Sequence, residues 1–281
     1  MTKVFLCSFA SPDLDLSVKR FTNQAKDLKF YEDIKVFGEK ELSNEIKNQI
    51  NYFYKQKKIR LYGYACWKAF IIKKYLKTLP ENSILQYSDI GCHFNPKGLD
   101  RLKDYIKLTD KYNLLTFQYK LPNWKIYSDY KFQQYFEYEY TKADAWNNLD
   151  IIPKSNILKS EQIWSGNIFF KNNSFSNIIL NKWEEILKIN SLIDDSFSNL
   201  NNHPSFIEHR HDQSIFSLIC KKHNVFSLSA SECEWAEYKM KKTWNHLEYY
   251  PILAKRDKKY SLFKRFFNRQ QKNLKRFFKI N

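Results

Sequence analysis

Residues 84–94 read ILQYSDIGCHF. An apolar run of strand length stops on a lone carboxylate, Asp89, with a glycine two positions later. Such a run, bounded by turn residues, fits a strand buried on both faces. In open α/β sheets, ligands sit outside the carboxyl ends of the strands, which is where Asp89 would stand. On the N-terminal side, residues 3–10 read as a strand, and 14–29 place Leu14, Val18, Phe21, Ala25 and Leu28 at helical spacing. A strand at 33–37 and a helix over 40–57 follow. In RLYGYACWKAFIIKKYLKTLP, residues 60–80, Trp67, Phe70, Ile71, Lys74 and Tyr75 recur at helical spacing until Pro80. This order predicts an α/β class with a mostly parallel central sheet.

C-terminal to Asp89, Asn95 or Pro96 can start a helix, and LLTFQY at 114–119 reads as a further strand. Residues 122–150 lack a period and read as a long loop with a short helix over the site. IWSGNIFF at 163–170 reads as a strand interrupted by Gly166, then come an amphipathic helix at 175–190, a loop at 192–208 and a helix at 212–223. We expect one globular domain over 1–251 and a tail over 252–281.

Composition narrows the possibilities. With 281 residues, 43% hydrophobic and 17% aromatic, the chain can bury a sizeable core. The five cysteines are odd in number and widely spaced without a CxxC pair, which favours a reducing cytoplasm over a disulfide framework or a zinc site. The first ten residues read as a core strand, not a signal peptide, and no stretch reaches about 18 consecutive apolar residues. P-loop, GxGxxG, GxSxG and HExxH motifs are absent. Of the net charge of +17, +10 lies from Lys255 onward, with eleven Lys and Arg against Asp257. LFKRFFNRQQKNLKRFFKIN, from Leu262, spaces Phe263, Phe266, Phe267, Phe277 and Phe278 among these cations, as in an interfacial amphipathic helix on an anionic membrane. A solvated tail, a partner-binding helix or a nucleic-acid arm are the other readings of this segment.

Two clusters suit chemistry. Asp89 can hold Mg²⁺ or Mn²⁺ through carboxylate oxygen, or cap the turn at Gly91. HPSFIEHRHDQSIFSLI, residues 203–219, gathers His203, Glu208, His209, Arg210, His211 and Asp212 before a helix. Asp212 can cap that helix or act as general base or substrate clamp, and His209 or His211 can ligate metal or phosphate. Gly166 marks a bulge or a close ligand approach, with Trp164 available to stack on a sugar. Lys68 can reach phosphate or stay a surface lysine.

In order, these pieces resemble the GT-A glycosyltransferases, particularly bacterial enzymes of capsule and lipooligosaccharide synthesis. RLYGYACWKAFII is similar to their GYGYWxWKPxII segment, ILQYSDIGCHF to ILYxDAGC, WSGNIFF to AGxxxF, and HRHDQSIFSLI to HDQSxxSLL. The resemblance spans residues 3–235. It departs from the usual DxD pair, because Tyr87 and Gly91 flank the single acid, and Ala69 replaces the proline of WKP. It implies a GT-A (Rossmann-like) fold, a nucleotide-sugar donor such as a UDP-sugar, a lipooligosaccharide or capsule acceptor and a divalent cation, Mn²⁺ or Mg²⁺. Carried over, it implies Asp212 as catalytic carboxylate and Asp89 with His211 at the metal. It also implies Ser8, Arg20, Tyr64, Lys68, Tyr87, Ser88 and Gly91 at the donor, and Trp164, Gly166, Asn167, His209 and Gln213 at the sugar or acceptor. Such an enzyme would work in the cytoplasm, held peripherally to the inner face of the cytoplasmic membrane. A basic nucleic-acid-binding protein and a degenerate transferase-fold scaffold are the competing expectations.

Overall fold

The computed structural model describes residues 2–56, 60–122 and 129–257. The tail phenylalanines Phe263, Phe266, Phe267, Phe277 and Phe278, and hence the membrane helix expected there, lie outside the described residues.

The chain opens with β1 (Val4–Phe9), α1 (Asp15–Asp27), β2 (Asp33–Phe37) and α2 (Asn44–Lys55). α3 (Leu61–Tyr64), α4 (Lys68–Leu76), β3 (Ile84–Ser88), β4 (His93–Phe94), α5 (Leu99–Tyr112) and β5 (Leu114–Gln118) follow. Next come β6 (Lys131–Phe132), α6 (Glu137–Tyr140), α7 (Ala143–Asn148), β7 (Ile163–Lys171), α8 (Ser174–Leu187) and α9 (Asn190–Ile193). The chain ends with α10 (His211–Lys222), β8 (Ser227–Ser229), β9 (Ala236–Tyr238), β10 (Lys241–Thr243) and β11 (Ile252–Leu253).

The main sheet runs β2-β1-β3-β7-β5-β8. β1 pairs in parallel with β2 and β3, and β5 with β8, while β7 is antiparallel to both its neighbours. The α/β class with a mainly parallel central sheet is therefore as expected from the sequence. Because β2 lies on one side of β1 and β3 on the other, the chain reverses direction across the sheet at β1. In open α/β sheets the crevice that takes ligands lies at such a point, outside the carboxyl ends of the strands. Successive side chains point to opposite faces. Cys7, Leu85 and Phe170 join α4, α8 and α10 in one core, and Leu6, Ile84 and Phe169 join α1 and α5 in the other.

Three segments differ from expectation. The helix expected over 40–57 starts only at Asn44, where the Ser43 hydroxyl accepts from the Ile46 amide at 3.3 Å. The helix expected from Trp67 begins at Lys68 as read, but the residues before it form a left-handed turn that was not expected: Leu61, Tyr62, Gly63, Tyr64 and Ala65 all have positive φ, from 52° to 77°. Within 122–150, where a long loop with one short helix is expected, the described residues form a short strand, β6, and two short helices, α6 and α7. The irregularity expected at Gly166 is present: Phe117 pairs with Trp164 and Leu115 with Phe169, so β7 carries extra residues against β5.

Beyond Pro251 the chain remains on the body. Ile252 and Leu253 pair with β4, the Ala254 amide donates to the Cys233 carbonyl at 2.8 Å, and the Asp257 amide to the Gly91 carbonyl at 3.0 Å. All five cysteines are buried and unpaired. Among the described residues no helix is long and apolar enough to cross a membrane.

Candidate active site

The site is built around a buried lysine. The left-handed turn delivers the chain to α4, and Lys68 in its first turn points inward with 4% of its surface exposed. Its Nζ lies 2.8 Å from Asp212 Oδ2, 3.3 Å from Asp89 Oδ1, and 3.3 Å from both the carbonyl and the hydroxyl of Ser165. Burial by itself would push the ammonium below the ordinary lysine pKa. Asp212 and Asp89 overcome that and hold it above.

Each carboxylate is fixed a second time. The Ser165 hydroxyl donates to Asp212 Oδ2 at 2.8 Å, and the Tyr87 hydroxyl to Asp89 Oδ1 at 2.7 Å. Asp212 is buried, whereas the Asp89 side chain is 43% exposed and faces the crevice. Neither acid caps a helix: Asp212 lies inside α10, and the N-cap position, Arg210, makes no side-chain capping bond. Extra residues in β7 bring Ser165 to the lysine, and the Gly166 carbonyl accepts from the Asp89 amide at 2.8 Å. A Cβ on Gly166 would stand 2.3 Å from the Trp164 ring, so only glycine lets the strand pass there.

Several residues expected at the site serve the fold. Arg20 clamps the turn after Asp89, its guanidinium donating to the carbonyls of Cys92 and Ile90 at 2.6 Å each and of Asp257 at 3.3 Å. Trp164 is buried and covers Gly166, leaving no open face for a sugar. The Asn167 side chain bonds Gln86 and Cys233 beneath the sheet. His209 is buried, with Nε2 at 2.9 Å from the Leu192 carbonyl and Nδ1 accepting from the Lys142 amide. Gln213 donates to Gln162 at 2.8 Å. Ser8 and Ser88 are buried side by side at the carboxyl ends of β1 and β3, and the Ser8 hydroxyl has no partner.

His211 does not join Asp89. Its Nδ1 bonds the Ile193 carbonyl at 2.8 Å, its ring packs 4.6 Å from that of Tyr64, and its buried Nε2 lies 3.8 Å from Asp195. Tyr64 also turns to Asp195, donating at 3.1 Å. The metal expected at Asp89 and His211 thus finds a poor ligand set. Mn²⁺ and Mg²⁺ need several oxygens, and among the described residues no three His, Cys, Asp or Glu side chains gather to hold one. The space between Asp89 and Asp212 already holds the Lys68 ammonium. Like charges about 4 Å apart repel by roughly 4 kcal/mol per unit pair near a protein surface.

Sequence reasoning missed three contributors. Ser165 lies in WSGNIFF between Trp164 and Gly166 and carries no sequence signal of its own. Glu234 is buried; its Oε1 accepts from Tyr119 at 3.0 Å and Arg256 at 2.6 Å, and its Oε2 has no partner. Burial pushes its pKa above the ordinary carboxylate value. Arg256 was counted with the tail, although residue 256 packs on the turn that follows Asp89.

Fold and site define an α/β protein with two carboxylates sharing one buried ammonium at the sheet's switch point. No protein-family model and no curated protein matches the chain. Among solved structures, it is similar to a glycosyltransferase involved in glycosylation of the major capsid of PBCV-1, at 12% identity over 89% of this chain and 91% of that one, with a TM-score of 0.46. It is also similar to mouse xyloside xylosyltransferase 1, at 8% identity over 83% and 87% with a TM-score of 0.41. A third similarity is to mannose-6-phosphate isomerase from Helicobacter pylori, at 11% identity over 82% and 91% with a TM-score of 0.35.

Proposed function

We propose that this chain is a GT-A-type glycosyltransferase that moves a sugar from a nucleotide donor, a UDP-sugar, to a growing cell-surface glycan. The observation that carries this reading is the Lys68 ammonium held between Asp89 and Asp212 at the carboxyl ends of β1 and β3. In this role Asp89, half-exposed, orients the donor at the crevice. Asp212, buried and fixed by Lys68 and Ser165, stands beside the sugar, where it holds a hydroxyl or takes the acceptor's proton. The basic tail would keep the enzyme at the membrane that carries its acceptor.

The test is release of nucleoside diphosphate from a panel of nucleotide-sugars, followed by chromatography, with and without a lipid-linked glycan extract. Asp212→Asn is expected to slow release by about 10²-fold or more with the fold retained. Release from no nucleotide-sugar, or release indifferent to Asp212→Asn, would remove this reading.

A further inference from the structure

We infer that the donor's diphosphate is met by a charge built into the chain, Arg256 at the rim of the crevice, with Lys68 in the floor offsetting the acids beneath it, and that this takes the place of a divalent cation. This rests on the transferase reading above. The ligand set around Asp89 does not suit a metal, since one carboxylate oxygen is engaged by Lys68 and Tyr87 and no three His, Cys, Asp or Glu side chains gather there among the described residues. A diphosphate still needs counter-charge, and the half-exposed Arg256 guanidinium is placed to supply it.

Arg256 is placed for this by the backbone. It sits at φ 53°, a left-handed conformation uncommon for a side chain other than glycine. Conformations of this kind persist only where the surroundings impose them, and they concentrate at functional sites. Here the Ala254 and Asp257 amides are tied to Cys233 and Gly91 on either side. The Arg256 backbone runs so close to Gly91 that a Cβ there would stand 3.0 Å from the Arg256 Cα. Arg256 is thus fixed beside the turn that carries Asp89.

Its guanidinium is anchored at one corner, with Nη2 at 2.6 Å from Glu234, and 54% of its side chain is exposed. Glu234 therefore aims the fork and leaves donors free, the geometry that suits bidentate contact with phosphate oxygens. Lys68, pinned between two acids, offsets their charge in the floor below. Both charges are present before the ligand arrives, as pre-organised electrostatic binding requires.

Calorimetric titration of UDP, GDP and dTDP into the full chain, in EDTA and then in Mn²⁺, tests the inference. The expected result is binding of one of these in EDTA, with affinity changed by less than about threefold on adding Mn²⁺. Arg256→Gln should weaken that binding by about tenfold, the loss of one charge-assisted contact, while Arg256→Lys should retain most of it. Lys68→Met should lose binding in EDTA and regain it in Mn²⁺, because a divalent ion can then enter between Asp89 and Asp212. If Lys68→Met fails to fold, the Arg256 pair and the wild-type comparison decide. Binding only in Mn²⁺, or Arg256→Gln equal to wild type, would overturn the inference and leave the transferase reading standing. Failure of all three nucleotides in both conditions overturns the transferase reading and this inference with it.

Discussion

Truncating Asp212 to alanine would strand the Lys68 ammonium in the interior with only Asp89 and Ser165 around it. Breaking a buried pair from one side typically costs about 3–5 kcal/mol. Asp212→Ala should lower the unfolding free energy by that order, and Asp89→Ala, which removes a half-exposed carboxylate, by about 1 kcal/mol or less. Urea unfolding of the two variants checks the difference, and equal losses would mean that the pair with Asp212 is not the stronger one. The histidines set the acid limit. Burial, with His211 and Lys142 nearby, holds His209 well below the ordinary imidazole value of 6.5. Its folded-state pKa is lower than its unfolded one, so the unfolded chain takes up the proton first as pH falls below about 6.5. Stability is full above that pH and declines below it, by up to about 1.4 kcal/mol per unit for this group. Glu234, raised by burial, works in the opposite sense, since its folded form binds a proton more readily. His209→Gln should therefore flatten the fall in stability between pH 6.5 and 5.5, measured by denaturant midpoints. An unchanged slope would assign the fall elsewhere.

At the level of elements, the left-handed turn at 61–65 is the feature with the weakest sequence signal. Four of its five residues are not glycine, and each opposes the conformation by about 1–2 kcal/mol. Tertiary contacts hold it: the Trp67 indole donates to the Tyr62 carbonyl at 3.0 Å, Phe9 stacks on Trp67 at 3.9 Å, and buried Tyr64 meets Phe53 at 4.8 Å. Periodicity from Trp67 onward correctly gave α4. The same run of aromatic residues concealed the turn before it, because only Gly63 hints at positive φ. Strands β1, β2, β3 and β5 were legible for the opposite reason, since each is a short apolar run between polar turns. The sheet order was not legible, because β7 pairs with strands far from it in sequence. Of the site, Asp89, Lys68 and Asp212 could be named from motifs, but their shared contact depends on that order and on the extra residues in β7 that bring Ser165 into place. Gly63→Ala tests the turn directly. Its Cβ would stand 2.7 Å from Ile50 Cγ1 at a φ of +77°, so we expect a loss of about 1–3 kcal/mol, seen as a lower melting temperature. Because the turn leads into Lys68, nucleotide binding should weaken as well. Unchanged stability would show that the turn carries no strain at that position.

For the whole molecule, the proposed function asks how a site in the crevice would meet an acceptor carried by a membrane. The described chain ends at the rim: Asp257 bonds Gly91 and accepts from Arg20, two residues from the turn that begins at Asp89. The tail therefore leaves the body beside the mouth of the sheet. From Lys255 the chain carries a net +10 and two phenylalanine pairs, Phe266–Phe267 and Phe277–Phe278. Each cation near an anionic surface contributes about 1 kcal/mol, and the rings add apolar burial that phosphate alone would not reward. The full chain should therefore sediment with vesicles of phosphatidylcholine and phosphatidylglycerol but not with phosphatidylcholine alone, and raised salt should weaken the association. Phe266→Ser with Phe277→Ser keeps the charge and removes two of the rings. If the tail inserts, the double variant should lose most of the binding at physiological salt while its nucleotide affinity is unchanged. If it binds as well as wild type, the attraction is electrostatic only, and the tail's partner need not be a lipid.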